Sequence, residues 1–188
     1  MAVFSAAGNL GLPVAHVSIG DCAFASKPMF LTTVLGSCVS VTFYHRAHGK
    51  GGMFHAMLPD KGQRRCCART TDGTFADLAV RAMVQRFRAA GMPPEELEVK
   101  VFGGANTLQN AYGADIRDML DVGRKNVESA LATLLLFGLR PVAQDVLGEH
   151  GRKLYFATGT GEVWLTYLDQ NLARRYLTAN ARRKAQQR

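Results

Sequence analysis

The chain has 188 residues, of which 47% are hydrophobic and 20% charged, the balance of one globular domain that buries its own core. That balance, with 19 Gly and 6 Pro scattered without a period, excludes wholesale disorder and a collagen-like chain. The net charge of +8 is uneven, because Arg174, Arg175, Arg182, Arg183, Lys184 and Arg188 supply +6 from Asn171 onward, with no acid. The body is therefore only mildly basic, and a nucleic-acid reading of the whole protein loses most of its support.

The longest apolar run, Ala130 to Phe137, is interrupted by Thr133 and falls well short of the roughly 20 residues a membrane span needs. Met1 to Leu12 lacks a basic start and a long apolar stretch, so no signal peptide is expected and the default compartment is the cytoplasm. In that reducing setting Cys22, Cys38, Cys66 and Cys67 are read as thiols. Cys66 and Cys67 are adjacent, which is not zinc-ligand spacing.

In chain order, residues 1–12 read as a loose leader. A strand is expected over Ala15 to Ile19, with Gly20-Asp21 as a turn, and another over Phe30 to Val34. After Leu35-Gly36-Ser37-Cys38 comes Val39 to Tyr44, with Val39, Val41 and Phe43 on one face and Ser40 and Thr42 on the other. That alternation predicts a half-buried strand. His45 to Gly51 is a polar turn into a strand over Gly52 to Leu58, which Pro59-Asp60 ends. The two strands make a hairpin that brings the start of one near His55.

Residues 60–74 read as a basic loop. Thr74 or Asp72 can cap a helix from about Phe75 to Ala90, where Ala79, Ala82, Met83, Phe87 and Ala90 keep helical spacing and Gly91 stands at the C′ position. Leu97 to Phe102 reads as a strand ending in Gly103-Gly104. Asn106 to about Leu120 is ambiguous, since Gly113 weakens any helix there. A second helix spans about Lys125 to Phe137, and strands follow near Arg140–Val146, Lys153–Thr158 and Glu162–Leu168. Many strands with two good helices predict a mixed α/β domain over residues 1–170, followed by a basic tail, 171–188.

Chemistry concentrates at two places. Cys38 stands at a strand start behind a glycine turn, where backbone N–H groups can stabilise an oxyanion, although a free cysteine is more often a small core residue. His55 is the one strongly polar side chain of an apolar strand, and a buried imidazole needs partners. A thiol and an imidazole on adjacent strands form a nucleophile and base, with the imidazolium lowering the thiol pKa. A hydroxyl from Thr32 or Thr33, on the strand before, can hold the imidazole in its tautomer, the third-group role.

Other signals are weaker. Gly103-Gly104-Ala105 lacks a Walker lysine and dinucleotide spacing, so it reads as close backbone packing. His45 and His48 with Cys38 lack a fourth ligand, so no metal is expected. Arg64, Arg65 and Arg69 lie beside Cys66 and Cys67 in a loop that reads as solvated surface or as a basic docking rim.

Leu35 to Val39 and Gly51 to Pro59 together resemble the LGSCV and GG-x-x-H-x-x-LP segments of the chemoreceptor glutamine deamidase family, CheD. Phe102 to Ala105 resembles the family's GGA segment. Val122 to Val127 is similar to its G-x-R-N segment, with Lys125 where arginine is common. Gln144 to Val146, Gly151 to Lys153 and Thr158-Gly159 are similar to its later stretch, with Leu147 replacing a usual glycine. The likeness covers about residues 15–168. It implies a layered α/β sandwich of mixed sheets with two main helices, of the toxin-deamidase kind. It implies hydrolysis of chemoreceptor glutamine side chains to glutamate with Cys38 as nucleophile, His55 as base and Thr32 as the residue orienting His55. No metal or organic cofactor is implied. The implied partners are the cytoplasmic helices of chemoreceptors and a CheC-type phosphatase, with neither nucleic acid nor membrane insertion. The alternative is a non-catalytic adaptor that binds such a phosphatase or receptor.

Overall fold

The computed structural model describes residues 11–60, 71–106 and 121–168. Nine strands and two α-helices are found among them: β1 (Val14–His16), β2 (Cys22–Phe24), β3 (Phe30–Leu35), β4 (Val39–His45), β5 (Lys50–Phe54), α1 (Ala76–Ala89), β6 (Leu97–Gly103), α2 (Val122–Leu136), β7 (Ala143–Val146), β8 (Arg152–Ala157) and β9 (Val163–Tyr167). A four-stranded sheet has the order β1-β3-β8-β9 and a five-stranded sheet the order β2-β5-β4-β6-β7. Both are mixed. The β1–β3 and β6–β7 pairs are parallel and the others antiparallel. A parallel neighbour needs a crossover, which α2 supplies between β6 and β7.

Three layers result, the α/β sandwich the sequence implied. One face of the five-stranded sheet, with Val39, Val41, Phe43, Phe54, Val99 and Val101, packs against Ala79, Met83 and Phe87 of α1 and Val127, Ala130 and Leu134 of α2. The other face meets the four-stranded sheet. There Met53 and Tyr44 pack with Leu31 and Phe156, and Phe102 packs with Leu35 and Leu154. Sequence alternation suggested that β4 is half buried, yet all seven of its residues are buried. The reason is the second sheet, which covers the Ser40 and Thr42 face.

The β4–β5 hairpin forms as expected. Its second strand stops at Phe54, before the expected Leu58, because residues 55–58 leave the ladder. Ala56 keeps one bridge to Val39, while Leu58 bridges Phe75. β2 escaped the sequence reading, since three residues are too short to show a period. α1 begins without a side-chain cap from Thr74 or Asp72. Its first amides instead reach main-chain carbonyls, Ala76 N–H to Leu58 at 2.8 Å and Asp77 N–H to Pro59 at 3.2 Å. α2 starts at Val122, three residues before the expected Lys125, because the Asp121 carboxylate accepts from the Arg124 amide at 2.9 Å and so caps it. Most of the ambiguous 106–120 stretch, the 61–70 loop with Cys66 and Cys67, and the chain from 169 onward lie outside the described residues.

Candidate active site

Cys38 sits at the mouth of β4, one residue before the ladder begins. Two glycines allow its placement. A Cβ on Gly103 would lie 2.1 Å from the Cys38 carbonyl oxygen, and one on Gly104 would lie 2.4 Å from Val127. Both have positive φ, +112° and +71°. The Gly104 amide donates to the Cys38 carbonyl at 2.8 Å and the Ala105 amide to the Gly36 carbonyl at 2.8 Å. The Gly103-Gly104-Ala105 turn is therefore close backbone packing, as read from the sequence, and what it packs against is the Gly36–Cys38 segment.

Val39 and Ala56 exchange both main-chain hydrogen bonds, each 2.9 Å. In the same register Thr42 pairs with Met53. Ser40 thus stands opposite His55 on the face turned toward the second sheet, and Cys38, two residues before Ser40, shares that face. Cys38 and His55 are diagonal neighbours, a separation of roughly 7–8 Å between Cα atoms in such a ladder. Cys38 packs with Leu35, Phe102 and Leu154 while staying partly accessible. His55 is 3% exposed. Its main chain is held by the Gly20-Asp21 turn, Gly20 N–H to the His55 carbonyl at 2.8 Å and His55 N–H to the Asp21 carbonyl at 3.0 Å.

The threonine on His55 is Thr33. Its Oγ1 lies 2.8 Å from His55 Nδ1 and donates to the Val17 carbonyl at 2.8 Å. A hydroxyl has one proton, and the carbonyl takes it. Thr33 must then accept from the ring, so Nδ1 carries the hydrogen and Nε2 has the free lone pair. Nε2 is buried with no hydrogen-bond partner. The expectation of Thr32 as the neighbour of His55 is corrected by strand alternation. Thr32 faces away from the site and donates to the Leu154 carbonyl at 2.7 Å. The sequence carried a signal for this, since Thr33 has the parity of the inward-facing Leu31 and Leu35.

Burial raises the Cys38 thiol above its usual 9.0, with its own backbone amide opposing weakly. Burial lowers the His55 imidazole below its usual 6.5, and His16 adds to this, against the Val17 carbonyl and Asp21. Both shifts favour neutral groups. The sequence reading anticipated a thiolate and an imidazolium instead, and desolvation, the largest cause acting on each group, works against both charged forms. Of the candidate metal ligands, His45 lies at the far end of β4 from Cys38 and bonds Glu96 at 2.9 Å. Arg64, Arg65 and Arg69 lie outside the described residues.

Fold and site define a three-layer α/β protein with a cysteine and a tautomer-locked histidine between its two sheets. A family model described as CheD chemotactic sensory transduction matches residues 57–167. A relative in Nitratidesulfovibrio vulgaris, named probable chemoreceptor glutamine deamidase CheD, is 44% identical over 160 residues, which cover 85% of this chain and 80% of that protein. One in Geobacter sulfurreducens, named probable chemoreceptor glutamine deamidase CheD 2, is 40% identical and covers 86% of this chain and 94% of that protein. This chain belongs to the CheD family. An alignment of 160 of 188 residues leaves too few outside it to miss positions 38 and 55, wherever it begins. Among solved structures, the hypothetical protein YfiH of Bacillus licheniformis matches at a TM-score of 0.45 and 15% identity, covering 69% of this chain and 51% of that one.

Proposed function

We propose that this protein hydrolyses selected glutamine side chains of chemoreceptors to glutamate, releasing ammonia, with Cys38 as nucleophile and His55 as base. The observation that carries the mechanism is the Thr33 hydroxyl bond, which leaves His55 Nε2 as a bare lone pair on the face it shares with Cys38. The receptor substrate is supported by the names of the relatives.

In this reading Cys38 Sγ gives its proton to His55 Nε2 as the sulfur–carbon bond forms to the carboxamide. Coupling the two events avoids a free thiolate, which burial disfavours. The Cys38 backbone N–H is the assigned oxyanion donor. His55 returns the proton to nitrogen, the carbon–nitrogen bond breaks and ammonia leaves a thioester. Water, deprotonated by His55, adds to the thioester. The carbon–sulfur bond then breaks, giving glutamate and the Cys38 thiol. Thr33 keeps the proton on Nδ1 throughout and stabilises the transient imidazolium.

The activity is taken to lie within residues 1–170, in the cytoplasm. No helix among the described residues is long and apolar enough to cross a membrane. A CheC-type phosphatase is the proposed protein partner, to be tested by co-purification. The deciding experiment incubates a receptor cytoplasmic fragment with wild type, Cys38→Ala and His55→Ala, and reads glutamine-to-glutamate conversion by mass spectrometry with ammonia release. Conversion by wild type alone is expected. Binding of the fragment without conversion by any of the three would overturn the enzyme reading in favour of an adaptor.

A further inference from the structure

The nucleophile and the base are held by different parts of the fold. Cys38 and Gly36 are tied through their carbonyls to Gly104 and Ala105. Past Ala56 the histidine segment turns the other way, and the Met57 and Leu58 amides both donate to the Thr74 carbonyl, each at 3.2 Å. The last pairing between the two segments is Val39 with Ala56. Beyond it, among the described residues, one side chain reaches across the gap. Asn126, in the second turn of α2 and 0% exposed, donates from Nδ2 to the Ser37 carbonyl at 2.9 Å and to the Met57 carbonyl at 3.1 Å.

We propose that Asn126 is the positioning residue that sets the spacing of Cys38 and His55, clamping Ser37, the residue before the thiol, to Met57, two residues after the imidazole. The inference deepens the deamidase reading and rests on it for its kinetic test. The chemistry is specific. Two carbonyls converge on one point, and a primary amide offers the two donors that satisfy both. Aspartate has the same shape but only acceptors when ionised, so it would push the segments apart. The other end of the amide, Oδ1, is buried without a partner. Leaving an acceptor unsatisfied is costly, and a residue needed only to fill space would avoid it. α2 is anchored to the same region at two further points. Ser129 Oγ donates to the Pro59 carbonyl at 2.5 Å, and Gly123 lies so close to Gly104 that an added Cβ would come 2.6 Å from its carbonyl oxygen. The donor of the clamp therefore sits on a fixed support.

The test uses full-length wild type, Asn126→Asp, Asn126→Ala and Asn126→Gln. Thr133→Ala serves as a control, since that buried hydroxyl donates only to the Ser129 carbonyl of its own helix. Three quantities are measured: thermal midpoint, iodoacetamide alkylation of Cys38 against pH by peptide mass spectrometry, and kcat and KM on the receptor fragment. For Asn126→Asp and Asn126→Ala the Cys38 alkylation rate at neutral pH is expected to fall to that of His55→Ala, because the imidazole that takes the thiol proton during the attack is displaced. Their kcat is expected to fall about 10²-fold with KM little changed, the effect of misplacing reacting groups by about 1 Å. Asn126→Gln, which keeps both donors on a longer stem, recovers part of the loss, and Thr133→Ala keeps the wild-type profile. If the Asn126 variants melt lower but keep the wild-type alkylation profile in the folded protein, the residue is structural and the proposal fails. It fails too if wild type and His55→Ala share one profile, because no spacing is then being set. Should wild type leave receptor glutamines unchanged while its alkylation still depends on His55 and Asn126, the deamidase reading falls and the clamp stands.

Discussion

Thr32 and Thr33 are neighbours with opposite duties. Thr33→Val removes the acceptor for the His55 Nδ1 hydrogen and frees the ring to flip or change tautomer. We expect kcat to fall about 10²-fold or more, the worth of an aligned general base, in the receptor-fragment assay. Thr32→Val breaks the bond to Leu154 and is expected to cost about 1 kcal/mol of stability in a denaturant melt, with kcat close to wild type. Equal losses of kcat in both variants would contradict the tautomer argument. The thiol gives a second residue-scale test. A group whose ionisation is pushed up keeps its proton to higher pH, and alkylation follows the thiolate. Cys38 is therefore expected to alkylate slowly at neutral pH, with a rate still climbing above pH 9. A plateau already reached below pH 7 would mean a resting thiolate and imidazolium. Cys22, pushed up to about 11 mainly by burial, is slower still at pH 9 and serves as the internal reference.

Among the elements, the β6 terminus is the one on which Cys38 leans. Gly103→Ala places a methyl against the Cys38 carbonyl at a φ that disfavours side chains. Adding overpacking to backbone strain gives an expected loss of about 2–4 kcal/mol in a urea melt. Any folded remainder is expected to have lost conversion, because the Cys38 carbonyl must move. Wild-type conversion by a folded Gly103→Ala protein would show that this close approach does not position the thiol. Much at this scale was legible in the sequence. The alternation of Val39 to Tyr44, the helical spacing from Ala79 to Ala90 and the glycines after each helix are local signals, and the elements they predict exist. Element ends were less legible, since they depend on partners far along the chain. Phe54 ends β5 where the chain turns to meet Phe75, and α1 takes its first acceptors from Leu58 and Pro59 rather than from Thr74 or Asp72.

At the scale of the whole molecule the two sheets are joined at their site end by one buried cation. Arg152 on β8 is 2% exposed. It donates to the carbonyls of Gly103 at 2.9 Å, Asp145 at 2.5 Å, His150 at 3.3 Å and Leu147, and pairs with the Asp145 carboxylate at 3.1 Å. Its reach from the four-stranded sheet to β6 and β7 ties the layers together behind Gly103 and hence behind Cys38. Arg152→Met leaves the buried Gly103 carbonyl without its donor and takes the donor from the part-buried carbonyls around it, and we expect a loss of about 1–3 kcal/mol, that of leaving a buried acceptor unsatisfied. Arg152→Lys is expected to recover little of it, because a single ammonium cannot match a planar fork. Thermal unfolding of both variants checks this, and a change of under about 1 kcal/mol, the scale of an exposed pair, would remove Arg152 from this role.

The sequence by itself determined the candidate chemistry: a thiol at a strand mouth behind Gly36, and an imidazole alone among the apolar residues of the neighbouring strand. These are properties of residue type and short-range spacing, which one chain segment carries alone. It also carried the parity that turns Thr33 inward, although the family likeness directed attention to Thr32. Only the tertiary structure decided which neighbours each group has. Covering the Ser40 face with a second sheet desolvates Cys38 and His55 and favours the neutral form of each. Asn126 and Arg152 act from 89 and 49 residues away along the chain, on Ser37 and Gly103, and no local pattern reports contacts closed over such loops. Burial and hydrogen-bond partnership are sums over the whole packed molecule, and that is why they became readable only in three dimensions.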